Sequence, residues 1–180
     1  MVHVAIVLPG QAYGPDRPGL AIPIEVLRQR GAEVVCVTYP AEPWPDWRRA
    51  EAGDWSEIAN TLAPQMEPAL ANAARVTVIA KSMGTSVFGG MRHLFPRSTE
   101  AIWITPLFRD PDVARDVIAA GFRCLSVFAT DDLAHDPDWQ ARVTAACKGT
   151  ELALDDAGHR LVMSDQQHEA LRQAVEAFVA

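Results

Sequence analysis

Residues 75–90 read RVTVIAKSMGTSVFGG, and the way this stretch changes character midway decides the fold. It opens on the β-branched run Val76, Thr77, Val78, Ile79, which suits a strand buried on both faces. It passes through Ala80-Lys81-Ser82-Met83-Gly84 into a segment that reads as helix. A serine between small residues where a strand turns sharply into a helix is the G-x-S-x-G elbow, here with Ala80 in place of the first glycine. Small residues are needed at 80 and 84 because the turn is strained and crowded, and bulk there collides with the incoming strand or the outgoing helix. Read blandly, the same five residues are an ordinary strand-to-helix turn. What stands before and after them decides between the two.

Working outward, residues 2–8 form a short apolar run halted by Pro9-Gly10, a buried strand stopped by breakers. Residues 20–30 read as an amphipathic helix closed by Gly31, and residues 33–39 as a second strand. Residues 40–53 hold Trp44 and Trp47 among three prolines, and Asp54 reads as the cap of a helix reaching about residue 74, broken or kinked at Pro64 and Pro68. Beyond the elbow come a helix over 84–94, a strand over 101–105, a helix from Pro111 to Gly121 and a strand over 123–129. A helix opening at Asp136 or Pro137, a strand over 151–154 and a helix from Ser164 to Phe178 complete the chain. Connections this long cannot be hairpins. The pattern predicts an α/β fold of one domain over residues 1–180: about six parallel strands with helices on both faces, joined by right-handed crossovers. Ligands of such sheets bind beyond the carboxyl ends of the strands, so the loops that follow strands are the ones that matter.

Those loops carry a consistent set. Ser82 follows the third strand, Ala129-Thr130-Asp131-Asp132 the fifth, and Asp155-Asp156-Ala157-Gly158-His159 the sixth. Fifty residues separate Ser82 from Asp132 and 27 separate Asp132 from His159, room for two strand–helix units and then one. On these residues the chain resembles a small α/β-hydrolase over essentially its whole length, lacking that superfamily's first two strands. Ala129-Thr130-Asp131-Asp132 is similar to the superfamily's G-x-x-D, Ala157-Gly158-His159 to its G-x-H, and Pro9-Gly10-Gln11 to its H-G-x loop, with proline where histidine often stands. The resemblance implies a three-layer αβα sandwich and a serine hydrolase. Ser82 is then the nucleophile, His159 the general base and Asp132 the residue that orients it, with the N–H groups of Met83 and Gln11 as the oxyanion hole. Asp131 is the rival for the acid, one residue out of register.

The resemblance further implies a small-molecule ester or thioester substrate and chemistry that needs no cofactor. Acyl transfer or peptide hydrolysis on the same three residues is the alternative reaction, and a degenerate, non-catalytic binding module the alternative class. Tyr13, Thr105 and Leu107, with Phe108, Trp44 and Trp47, all follow strands and are candidates to wall the substrate site, although the tryptophans equally suit a core. Residues 105–112 are too short for the cap domain of larger hydrolases, so an open, shallow cleft is expected. Lys81 either points away from the nucleophile or lies beneath the loops paired with a carboxylate. The histidines and carboxylates lack metal-ligand spacing.

Composition narrows the partners. A net charge of −7 disfavours nucleic acid, whose phosphates would repel the chain. With 49% hydrophobic residues, 180 residues can bury a substantial core. No apolar run approaches the roughly 20 residues of a membrane span, and MVHVAIVLPG reads as a first strand in place of a signal peptide. Cys36 and Cys124 sit in apolar strand-like runs, as small buried hydrophobes do, which points to a reducing, cytoplasmic compartment.

Overall fold

The computed structural model describes residues 2–40 and 55–180. The elements run β1 (Val2–Leu8), α1 (Pro18–Gln29), β2 (Glu33–Cys36), α2 (Trp55–Leu70), β3 (Ala73–Lys81), α3 (Met83–Met91), β4 (Glu100–Ile104), α4 (Pro111–Ala120), β5 (Arg123–Ala129), α5 (Pro137–Ala146), β6 (Thr150–Leu154) and α6 (Asp165–Phe178). A 3₁₀ turn, Arg92–Leu94, follows α3. The six strands form one sheet in the order β2-β1-β3-β4-β5-β6, and every neighbouring pair is parallel.

Side-chain alternation along the strands builds two cores. Val4, Ile6 and Leu8 of β1 pack on one face of the sheet with Leu62, Met66, Phe88, Met91 and Val117. Ala5 and Val7 face the other side, among Leu20, Leu27, Leu171, Val175 and Phe178 of α1 and α6. Central strands are therefore apolar in succession, whereas the β6 edge alternates poorly and is mostly exposed.

Two expectations shift. The second strand ends at Cys36 and not at Tyr39, because the Gln65 side chain takes over both backbone groups of Thr38: its Oε1 accepts from the Thr38 N–H at 2.9 Å and its Nε2 donates to the Thr38 carbonyl at 2.8 Å. The α2 helix runs through Pro64 and Pro68 and stops at Leu70, leaving Ala73 to start a longer β3. Both prolines are exposed, as is Asn60, so the carbonyls of Asn60 and Pro64 that lose an N–H partner stand on the solvent side. The Trp44 and Trp47 reading lies outside the described residues.

Register places the site. Leu8 pairs with Ala80 and Lys81 with Ile104, so the loop after β1, the elbow after β3 and the loop after β4 emerge side by side. Gly84 brings α3 against the end of β1. A Cβ there would stand 2.2 Å from the Leu8 carbonyl oxygen and 3.0 Å from that of Pro9, a contact no side chain can make.

Candidate active site

Ser82 sits between β3 and α3 with φ 51° and ψ −116°, a strained conformation for a residue with a side chain. Three bonds hold it there. Its N–H donates to the Ile104 carbonyl at 3.0 Å, and its own carbonyl accepts from the Thr85 N–H at 2.8 Å and the Thr85 hydroxyl at 2.6 Å. Thr85 Oγ1 also accepts the Leu107 N–H at 3.2 Å, which ties the loop after β4 to the elbow. The Ser82 hydroxyl, which caps no helical N–H, is left facing outward.

That hydroxyl lies 2.7 Å from His159 Nε2, and the opposite ring nitrogen, Nδ1, lies 2.8 Å from Asp132 Oδ2. The Asp132 carboxylate is buried, its side chain 2% exposed, and its other oxygen accepts the Ala134 N–H at 2.8 Å. Burial by itself would raise this carboxyl. The hydrogen bonds from His159 and Ala134, with the His159 and Lys81 charges, outweigh it and hold the group below its ordinary value. The neighbouring aspartate does something else: Asp131 Oδ1 accepts the Gly158 N–H at 2.9 Å and so anchors the loop that carries His159. Gly158, at φ 60°, occupies the left-handed region that this tight loop requires.

Among the described residues, the N–H groups of Met83 and Gln11 are both uncommitted. Met83 opens α3, so its N–H falls in the first turn, where no helical carbonyl is available. The Gln11 N–H has no partner among the described residues. Both residues line, with Ser82 and His159, a cleft of about 600 Å³.

Of the residues expected to wall that cleft, Tyr13 and Leu107 do so. Thr105 does not: its backbone is left-handed, φ 40°, and its side chain is fully buried, turned down to meet Lys81. Phe108 is likewise absent from the wall and packs in the core. Lys81 does lie beneath the loops, but no carboxylate among the described residues pairs with it; its ammonium donates to Thr105 Oγ1 at 2.7 Å and to the His159 carbonyl at 2.8 Å. The wall also includes Ala12, Leu133, Ala134 and Arg160, which the sequence reading did not single out. Leu133 and Arg160 directly follow Asp132 and His159, and adjacency to those two was the available signal. Among the described residues, no group of histidines, cysteines and carboxylates is placed to hold a metal, and no helix is long and apolar enough to cross a membrane.

No family model matches the chain, and no curated protein matches it in sequence. Solved structures do match. An α/β serine hydrolase without a lid from Xanthomonas campestris superimposes with a TM-score of 0.68 over 99% of this chain and 82% of its own, at 16% identity. Est1E from Butyrivibrio proteoclasticus, with ferulic acid bound, gives 0.68 over 98% and 87% at 12% identity. An α/β serine hydrolase homologue from Coxiella burnetii gives 0.69 over 99% and 85% at 11% identity. With one six-stranded parallel sheet flanked by helices and neighbours of this kind along nearly its whole length, the chain has the α/β-hydrolase fold.

Proposed function

We propose that this protein is a serine hydrolase that cleaves small ester or thioester substrates through an acyl-enzyme. The observation that carries the reading is the unbroken chain of hydrogen bonds from Ser82 Oγ through the His159 ring to Asp132, all three of which line a cleft. A serine hydroxyl is a weak nucleophile at neutral pH and needs a base at hydrogen-bond distance. His159 Nε2 takes the Ser82 proton as Oγ attacks the substrate carbonyl carbon. Asp132 keeps the Nδ1 proton in place and stabilises the imidazolium. The negative charge that develops on the carbonyl oxygen falls to the Met83 and Gln11 N–H groups, a task in which one lost donor costs about 10²–10³ in rate. As the tetrahedral intermediate collapses, His159 returns its proton to the leaving alcohol or thiol. Water, deprotonated by the same histidine, then frees the acid and restores Ser82.

The test is covalent. A fluorophosphonate probe should add once to the protein, its mass staying on the peptide that carries Ser82. Intact protein that takes up no probe would favour a binding module on the same fold.

The apolar wall is short, made of Ala12, Tyr13, Met83, Leu107, Leu133 and Ala134, and Leu133 is itself 85% exposed. Long acyl chains gain little burial against such a rim. An enclosing tunnel would add about 0.8 kcal/mol per methylene, about fourfold in kcat/KM for each. We expect instead a flat or falling profile from p-nitrophenyl acetate to octanoate; a steep rise would overturn the small-substrate reading. The neighbour solved without a lid supports the same expectation.

A further inference from the structure

Among the described residues, the mechanism above leaves one buried ionised group without a task. Lys81, the last residue of β3, stands directly before Ser82 and is 2% exposed. Its stem passes beneath Gly10 so closely that a Cβ on that glycine would lie 2.8 Å from Lys81 Cδ. Its ammonium sits 4.8 Å from the centre of the Tyr13 ring and donates to the Thr105 hydroxyl and the His159 carbonyl. Tyr13, Thr105 and His159 belong to the loops after β1, β4 and β6, so one cation touches three loops that the sheet holds only at their roots. Burying a cation that no carboxylate among the described residues pairs with is unfavourable, and a methionine would fill the space without that penalty. The contact that singles out Lys81 is the one with the main chain of His159, whose ring must stand in line between Ser82 and Asp132.

We infer that Lys81 is a positioning residue for the hydrolase reaction: its charged ammonium, braced on Thr105, clamps the His159 backbone so that the imidazole stays in line, and losing its proton loosens the site. The inference rests on the serine-hydrolase reading for its kinetic consequences and on geometry alone for the clamp. The groups around the ammonium define how it titrates. Burial pushes it down to about 8, the Asp132 charge opposes this, and the Arg160 charge adds to it. Tyr13 offers only its ring, because its hydroxyl accepts the Gly19 N–H at 3.0 Å. Asp131, across the cleft, is engaged by Gly158. The sign follows: below about 8 the clamp is charged and strong, and above it a neutral amine makes the weaker kind of hydrogen bond.

The experiment is the pH dependence of kcat with a short neutral ester, the spontaneous rate subtracted. Wild type is expected to lose about tenfold in kcat as pH rises through the Lys81 transition. Lys81→Met should show that lower kcat already at neutral pH, with KM changed by less than about twofold and no further alkaline fall. Thr105→Val removes one of the two acceptors on the ammonium, so the alkaline fall should move to lower pH. A Lys81→Met enzyme with wild-type kcat and the wild-type alkaline fall overturns the clamp. If that variant does not fold, an unmoved fall in Thr105→Val does the same. A second readout needs no turnover: the low-field proton resonance of His159 Nδ1–H, hydrogen-bonded to Asp132. Its shift or broadening in folded Lys81→Met supports the clamp, and an unchanged resonance overturns it. Wild-type protein that takes no fluorophosphonate sinks the hydrolase reading but not the clamp, which the resonance then decides.

Discussion

Ser82→Ala is expected to lower kcat for p-nitrophenyl acetate by about 10⁵–10⁶-fold and to abolish fluorophosphonate labelling, while the protein melts as wild type does. The size of the loss follows from what the hydroxyl is placed to do. Its partner in the structure is His159 Nε2 at 2.7 Å, and without Oγ no acyl-enzyme can form. The small effect on folding has a separate cause. The side chain caps no helical N–H, and the bonds that hold residue 82 in its strained turn run through its backbone to Ile104 and Thr85. Alanine has a Cβ as serine does, so it carries the same penalty at φ 51° and no new one. Residual turnover about 10³-fold above water should survive, because the Met83 and Gln11 donors remain. Turnover within tenfold of wild type would mean that another nucleophile does the chemistry.

The second large effect belongs to the acid. Asp132→Asn should cost about 10⁴ in kcat, the loss seen when a triad carboxylate becomes an amide. The geometry makes the substitution intolerant in either orientation. With the amide NH₂ at the Oδ2 position it confronts the Nδ1 proton, and the ring responds by moving that proton to Nε2, where it can no longer receive one from Ser82. With NH₂ at the Oδ1 position it confronts the Ala134 N–H. Asp131→Asn keeps an oxygen able to accept from Gly158 and is expected to lose less than about tenfold. The reverse ranking would shift the acid by one residue. The depressed carboxyl carries its own pH signature. A group held below its ordinary value in the folded protein stabilises the fold above that ordinary range, and the contribution disappears only as pH falls through the lowered one.

Much of this was legible because several local signals agreed. The β5 run RCLSVFA occupies the residues its apolar pattern predicts, and Ser164 caps α6 through a reciprocal bond pair with Gln167. Pro111 and Pro137 stand at the first helical positions of α4 and α5, where a missing N–H costs nothing. The aspartate pair shows why register mattered: two adjacent carboxylates end up on different partners, the ring of His159 and the N–H of Gly158. What stayed hidden depends on contacts between distant segments. Nothing near Thr38 announces that Gln65, 27 residues later, ends its strand. Thr105 follows a strand as a cleft residue should, yet a left-handed backbone turns its side chain inward, and that turn is not written in residue type. The course of Lys81 likewise emerges only once Gly10 and Tyr13 are folded over it.

The order of the strands also bears on how the molecule assembles. Ser82 leaves a central strand, whereas His159 follows β6, which among the described residues lies at the sheet's rim and pairs with β5 alone. Parallel pairing is never local, since the chain between two parallel strands must be closed before any contact compensates for the lost entropy. The serine and the histidine are 77 residues apart, and the hydrogen bond between them cannot form before the last strand docks. Recovery of probe labelling during refolding is thus a clock for the final step of sheet growth, and it should lag behind any signal from Trp103, buried on β4 in the interior of the sheet.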